Sequence, residues 1–224
     1  LLFNLQTILS SRKAEMRFPF FKYKDDNWDI EHVRSKTEKQ ISGTNRKEWA
    51  LDVLTYFTGL SGYSDKKTDK KSEKELQHEF VNNLKEEDGE TTKSYCLQLI
   101  EVLDSDKVDD ERFKILHADL TSFFKENSIP ENIDNISNLA LLDSSTNRSY
   151  KNAMFPIKRK RIIENDKKGI FVPIATKNLF LKYYTKKMGD VMYWNADDAE
   201  DYLETIKLTL SPYLPTQPLN HEHK

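Results

Sequence analysis

A second cysteine is missing from these 224 residues, so the lone Cys96 excludes an intrachain disulfide framework and a cysteine-based zinc site. No apolar run approaches the ~20 residues a bilayer-spanning helix requires, and no membrane partner is expected. No basic stretch precedes the apolar residues of LLFNLQTILS, which therefore do not read as a secretory leader. Cytoplasmic residence is the default expectation. Leu1, Leu2, Leu5, Ile8 and Leu9 instead fall on one helical face, as in a helix belonging to a longer protein of which this is the C-terminal portion. Internal repeats are absent. So is a phosphate-cradling glycine loop: GETTKS at 89–94 lacks the earlier glycine and the Gly-Lys step of such a motif.

What is present is aromatic mass and charge. Phe 12, Tyr 10 and Trp 3 supply a core, while charged residues make up 32% of the chain. The length suits one domain carrying a sizeable insertion. Trp49, Val53, Tyr56, Phe57 and Leu60 share one helix face. Residues 91–104 are apolar almost all round, which predicts a buried helix. Phe113, Leu116, Leu120, Phe123 and Phe124 predict another. Asn195 reads as an N-cap, with Asp197 and Asp198 in the first turn and Ala199, Tyr202, Leu203 and Ile206 facing inward. Residues 61–75 read as an exposed polar loop, and the proline-bearing tail 211–224 as extended and flexible.

Strand signals are few. Phe18, Phe20 and Trp28 to Val33 mark one, and Ile136 to Leu142 the other. Ser144 or Ser145 then caps a short helix carrying Asn147, Lys151 and Asn152. If the two strands pair, His32 meets Asn138 across about a hundred residues, a closure whose entropy grows only logarithmically with length. The expected fold is α+β, mainly α, as a single domain over 1–210 with a helical insertion at about 36–130.

Charge is distributed unevenly. Residues 148–187 hold twelve Lys or Arg against Glu164 and Asp166, a local +10 within a chain of net -2. Such a field attracts polyanions.

The chemistry that these pieces suit is phosphodiester hydrolysis, which needs an activated water and neutralised phosphate charge. His32 suits the role of general base, an imidazole ordinarily titrating near ~6.5. The neighbouring Glu31 carboxylate and the Asn147 amide oxygen suit a hard cation, most simply Mg²⁺ with Mn²⁺ as the alternative. Asn138 is expected to hold the imidazole by a hydrogen bond. Arg148, Lys151, Asn152, Lys158, Arg159, Lys160 and Arg161 would follow flanking phosphates of DNA.

With WDIEHV at 28–33 and Asn138 and Asn147 nine positions apart, the chain resembles the ββα-metal, or HNH, nucleases in their H-N-N form. MRFPFFKY, ISNLALLDSSTNRSYKNAMFPIKRKRI and GIFVPIATKNLFLKYYTK, in that order, resemble the C-terminal nuclease domain of GmrSD-type modification-dependent restriction and phage-defence proteins. The similarity covers about 1–60 and 130–210. It implies a ββα-metal core with extra C-terminal helices and an endonuclease or nickase acting on phage or modified DNA. It also implies an upstream nucleotide-sensing domain. Within it His32 is the base, Glu31 and Asn147 are metal ligands, Asn138 orients His32, and Asn152 and Lys158 match further family positions. Two departures stand out: Glu31 where many such motifs have Asp, and VRSKTE after the histidine where the family often has Pro or Gln. The alternative is a nucleic-acid-binding or inter-domain module with this fold and little catalysis. Cleavage of RNA is a weaker third reading.

Overall fold

The computed structural model describes residues 1–10, 17–25, 27–34, 41, 43–60, 73–84, 89–125, 133–144, 153–187 and 189–214. Helices α1 (Leu2–Leu9) and α2 (Phe20–Asp25) precede strand β1 (Trp28–His32). Helices α3 (Gly43–Thr58), α4 (Glu73–Asn82), α5 (Gly89–Asp104) and α6 (Asp110–Phe123) come next. A 3-10 turn, Ile136–Asn138, leads into β2 (Leu139–Asp143). Then follow α7 (Phe155–Lys167), α8 (Ile174–Phe180), α9 (Ala196–Leu210) and a 3-10 turn at Ser211–Tyr213. The fold is mainly helical with one small sheet, as the sequence predicts.

The two strands pair antiparallel, Trp28 opposite Asp143 and His32 opposite Leu139. Ladder bonds continue past both ends: Val33 N donates to Asn138 O at 2.8 Å and Ser144 N donates to Asn27 O at 2.8 Å. The α3–α6 helices occupy the long connection between the strands.

Two apolar cores result. The first gathers Trp49, Val53, Leu54, Phe80, Cys96, Leu99, Ile100, Phe113, Leu116 and Leu120 from α3 to α6. The second joins Val33, Ala140 and Leu142 of the sheet to Phe155, Ile162, Leu179, Phe180, Trp194, Tyr202 and Ile206. Helix α7 lies between them, giving Ile157 to the first and Phe155 and Ile162 to the second. Its neighbours are α3 on one side and α8 on the other.

Three local expectations are corrected. Phe20 opens a helix instead of extending a strand, because the helical turn lets Phe18, Tyr23 and Trp28 stack in series, with ring centroids 4.8 and 5.0 Å apart. Burial in this stack pushes the Tyr23 phenol up to about 12. On α1 the inward face is Asn4 and Ile8, while Leu1, Leu2 and Leu9 are exposed. The reason is polar: Asn4 Oδ1 accepts from Ala175 N at 2.9 Å, satisfying an orphan donor in the first turn of α8. The tail is not loose from its start, since Tyr213 OH accepts from Gln6 Nε2 at 2.8 Å. Residues 215–224 lie outside the described residues. The N-cap at Asn195 is present as a full capping box with Asp198. Among the described residues no helix is long and apolar enough to cross a membrane.

His117 packs against Trp49, ring centroids 5.1 Å apart, and burial holds its imidazole below the usual histidine range. The unfolded chain therefore binds a proton more readily than the folded one as pH falls below about 6.5. This group's contribution to stability is complete above that value and declines on acidification. The fall in Tm between about pH 7.5 and 5.5 should be shallower in His117→Gln than in wild type. Equal slopes in a thermal melt series would contradict this.

Candidate functional site

Side chains alternate across a strand, so Glu31 and His32 cannot share a face. Glu31 follows Val33, Ala140 and Leu142 toward the second core, whereas His32 shares the outer face with exposed Ile30. The acid and the base are neighbours in sequence and are separated by the sheet.

On the outer face His32 Nε2 meets Asp134 Oδ1 at 2.7 Å, the side chains being 29% and 63% exposed. A carboxylate only accepts, so in the neutral imidazole Nε2 carries the proton and Nδ1 keeps the lone pair. Among the described residues Nδ1 has no hydrogen-bond partner. This is the arrangement of a histidine base with an orienting acid.

Asn138 does not touch the imidazole, which corrects the expected contact. It is 3% exposed, and its Oδ1 accepts from Arg34 N at 2.9 Å. Its Nδ2 donates to Arg34 O at 3.3 Å and to Ile133 O at 3.0 Å. The amide thus clamps the backbone two residues beyond His32 and one residue before Asp134. It positions both members of the dyad through the main chain. Asn135 shapes the same turn, its Oδ1 accepting from Ser137 N at 3.0 Å.

On the inner face Lys158 Nζ forms an ion pair with Glu31 Oε1 and donates to His32 O at 2.6 Å. Lys158 is 0% exposed, so the expected phosphate contact at this residue is overturned. Further along α7 the cations are only partly buried. Lys160 Nζ donates to Thr55 O at 2.7 Å, and burial lowers its pKa. Arg161 pairs with Asp52, whose carboxyl is nonetheless raised because burial outweighs the guanidinium. Arg159 is half-buried. At the fully buried Lys158 the charge requires the partners it has. Asn147, Arg148, Lys151 and Asn152, and the helix expected to carry them, lie outside the described residues.

Of the two expected metal ligands only Glu31 lies among the described residues. Glu31 is already neutralised by an ammonium, and among the described residues no group of three or more His, Cys, Asp or Glu converges on one point. Asp134 was the residue that sequence reasoning missed. Its only signal was the polar run DNISN just before β2, which the strand register folds back beneath His32.

No family model, curated protein or solved structure matches the chain.

Proposed function

We propose that the chain is a phosphodiester hydrolase acting on DNA, built on an HNH-like ββα arrangement, with His32 as general base and Asp134 as its orienting acid. What supports this is the dyad at the β1–β2 junction: a half-exposed imidazole with one nitrogen held by a carboxylate. In the reaction Nδ1 takes a proton from water as the water oxygen bonds to phosphorus, the P–O bond to the leaving sugar oxygen breaks and that oxygen takes a proton from solvent, while Asp134 stabilises the imidazolium that forms. Mg²⁺, or Mn²⁺ in its place, is the ion that the sequence pattern implies, and it would supply neutralisation of charge on the phosphate. The proposed setting is the cytoplasm, as the effector end of a restriction or anti-phage protein cutting phage or modified DNA under an upstream nucleotide-sensing domain.

A specific observation favours the second reading, a module without efficient catalysis, in its inter-domain rather than its nucleic-acid-binding form. Lys158, Lys160 and Arg161 of α7, expected at phosphates, are bonded within the protein.

Plasmid nicking separates the two, with and without Mg²⁺ or Mn²⁺, in wild type, His32→Ala, Asn147→Ala and Asp134→Asn. The hydrolase reading expects wild-type nicking that His32→Ala abolishes. Asp134→Asn should lower kcat about 10- to 100-fold, at or below the low end of the ~10²- to 10⁴-fold that an acid–base group itself contributes, because Asp134 orients the base and does not transfer the proton. Its melting temperature should hardly move, because an exposed ion pair contributes only about 0–1 kcal/mol. Nicking that survives His32→Ala would overturn the assigned mechanism. No nicking by wild type, alone or joined to its upstream domain, would favour the binding module.

A further inference from the structure

We propose that Lys158 is the resident cation of this site: Glu31 and Lys158 form a positioning pair for His32, and Glu31 does not hold a divalent metal. The inference rests on the hydrolase reading only for what His32 does.

The odd-numbered residues of β1 exchange their backbone bonds with β2, as the flanking Val33–Asn138 and Asn27–Ser144 bonds require. Even-numbered residues therefore aim their carbonyls off the open edge of the sheet. His32 O is such an edge acceptor, and Lys158 Nζ satisfies it at 2.6 Å. The same ammonium reaches beneath the strand to Glu31 Oε1. One side chain thereby fixes the main chain of His32 and the side chain of Glu31.

Burial decides what else Glu31 can do. The Lys158 side chain is 1% exposed and that of Glu31 12%. In α7 Lys158 directly follows Ile157, of the first core, and comes three residues after Phe155, of the second. The ammonium cannot swing into water without unpacking that helix. A Mg²⁺ ion demands oxygen ligands in near-octahedral order and keeps several waters of its own. Seating it on Glu31 would strand a buried ammonium without its counter-charge, the strongly unfavourable way to break a buried pair. The two faces of the strand then have separate tasks: Asp134 sets the proton on the imidazole, and Lys158 with Glu31 sets where its backbone stands.

The test is binding of Mn²⁺ alone, followed by electron paramagnetic resonance, in wild type, Glu31→Gln, Lys158→Met and the double variant Lys158→Met/Glu31→Gln. Glu31→Gln keeps an oxygen for Lys158 and the same shape. Wild type and Glu31→Gln should titrate identically, whether or not Mn²⁺ binds elsewhere on the chain. Where Lys158→Met folds, it should bind Mn²⁺ more tightly than wild type, and the double variant should lose that gain. Weakening in Glu31→Gln beyond about threefold, a little under 1 kcal/mol, would overturn the proposal. The positioning role has its own readout: the ¹⁵N signals of the His32 ring should shift in Glu31→Gln while those of His117 stay in place. Unshifted His32 signals would overturn that role. Neither measurement depends on cleavage, so a failure of the nuclease reading is seen separately, as absent nicking by wild type.

Discussion

His32→Ala should lower the rate of plasmid nicking by about 10²- to 10⁴-fold, the range that a positioned general base contributes. Stability should change little. The imidazole is partly exposed, and among the described residues its one side-chain bond goes to the still more exposed Asp134. An exposed pair of this kind contributes about 0–1 kcal/mol, so the melting temperature should remain near that of wild type. The combination is diagnostic. A residue that merely packs would lose stability and activity together, whereas a base loses only activity. Quantifying open-circle product over time beside a thermal melt of the same preparation checks both halves.

Asn138→Ala should behave in the opposite way and destabilise the protein by about 2–4 kcal/mol. The side chain makes three hydrogen bonds at a buried position, to both backbone groups of Arg34 and to Ile133 O. Truncation leaves those groups unpaired and away from water, and each unsatisfied buried group costs about 1–3 kcal/mol. Because Arg34 lies two residues beyond His32 and Ile133 adjoins Asp134, the dyad should loosen as well. Activity should therefore fall even where the variant remains folded. Urea denaturation gives the stability change from the shift in midpoint. A shift equivalent to less than about 0.5 kcal/mol would mean that the clamp is not structural.

Much of this arrangement was legible in the sequence, and what was not has a physical reason. The pairing of two short strands across a long helical excursion could be read because the second was an apolar run bounded by polar turns and the first closed an aromatic stretch. The helical cores could be read from periodicity: Trp49, Val53, Phe113, Leu116 and Leu120 are all buried as their spacing requires. The N-cap at Asn195 announced itself by residue type. Asn138 could be recognised as important but not given its partner, because a carboxamide satisfies a ring nitrogen and a peptide equally well. The choice depends on where the 3-10 turn at Ile136–Asn138 aims it. Asp134 escaped because its value lies in the fold, 2.7 Å from His32 in space and 102 positions away in sequence.

The basic run misled for a different reason. Composition reports how many cations a helix carries and not which way they point. At Lys158, Lys160 and Arg161 the answer came from the packing of α7 between two cores. Glu31 and His32 were read as partners because they adjoin, although strand alternation already set them on opposite faces. That alternation could have been applied from the sequence once a strand was expected there.

The central claim is that the His32 imidazole moves a proton during phosphodiester cleavage. Chemical rescue tests it most directly. In His32→Gly, where a cavity replaces the ring, nicking is measured against increasing concentrations of free imidazole. The account predicts that the lost rate returns in proportion to imidazole, with no such effect on wild type. A His32→Gly protein that nicks as fast as wild type without imidazole, or that stays folded and inactive at every imidazole concentration, would contradict it.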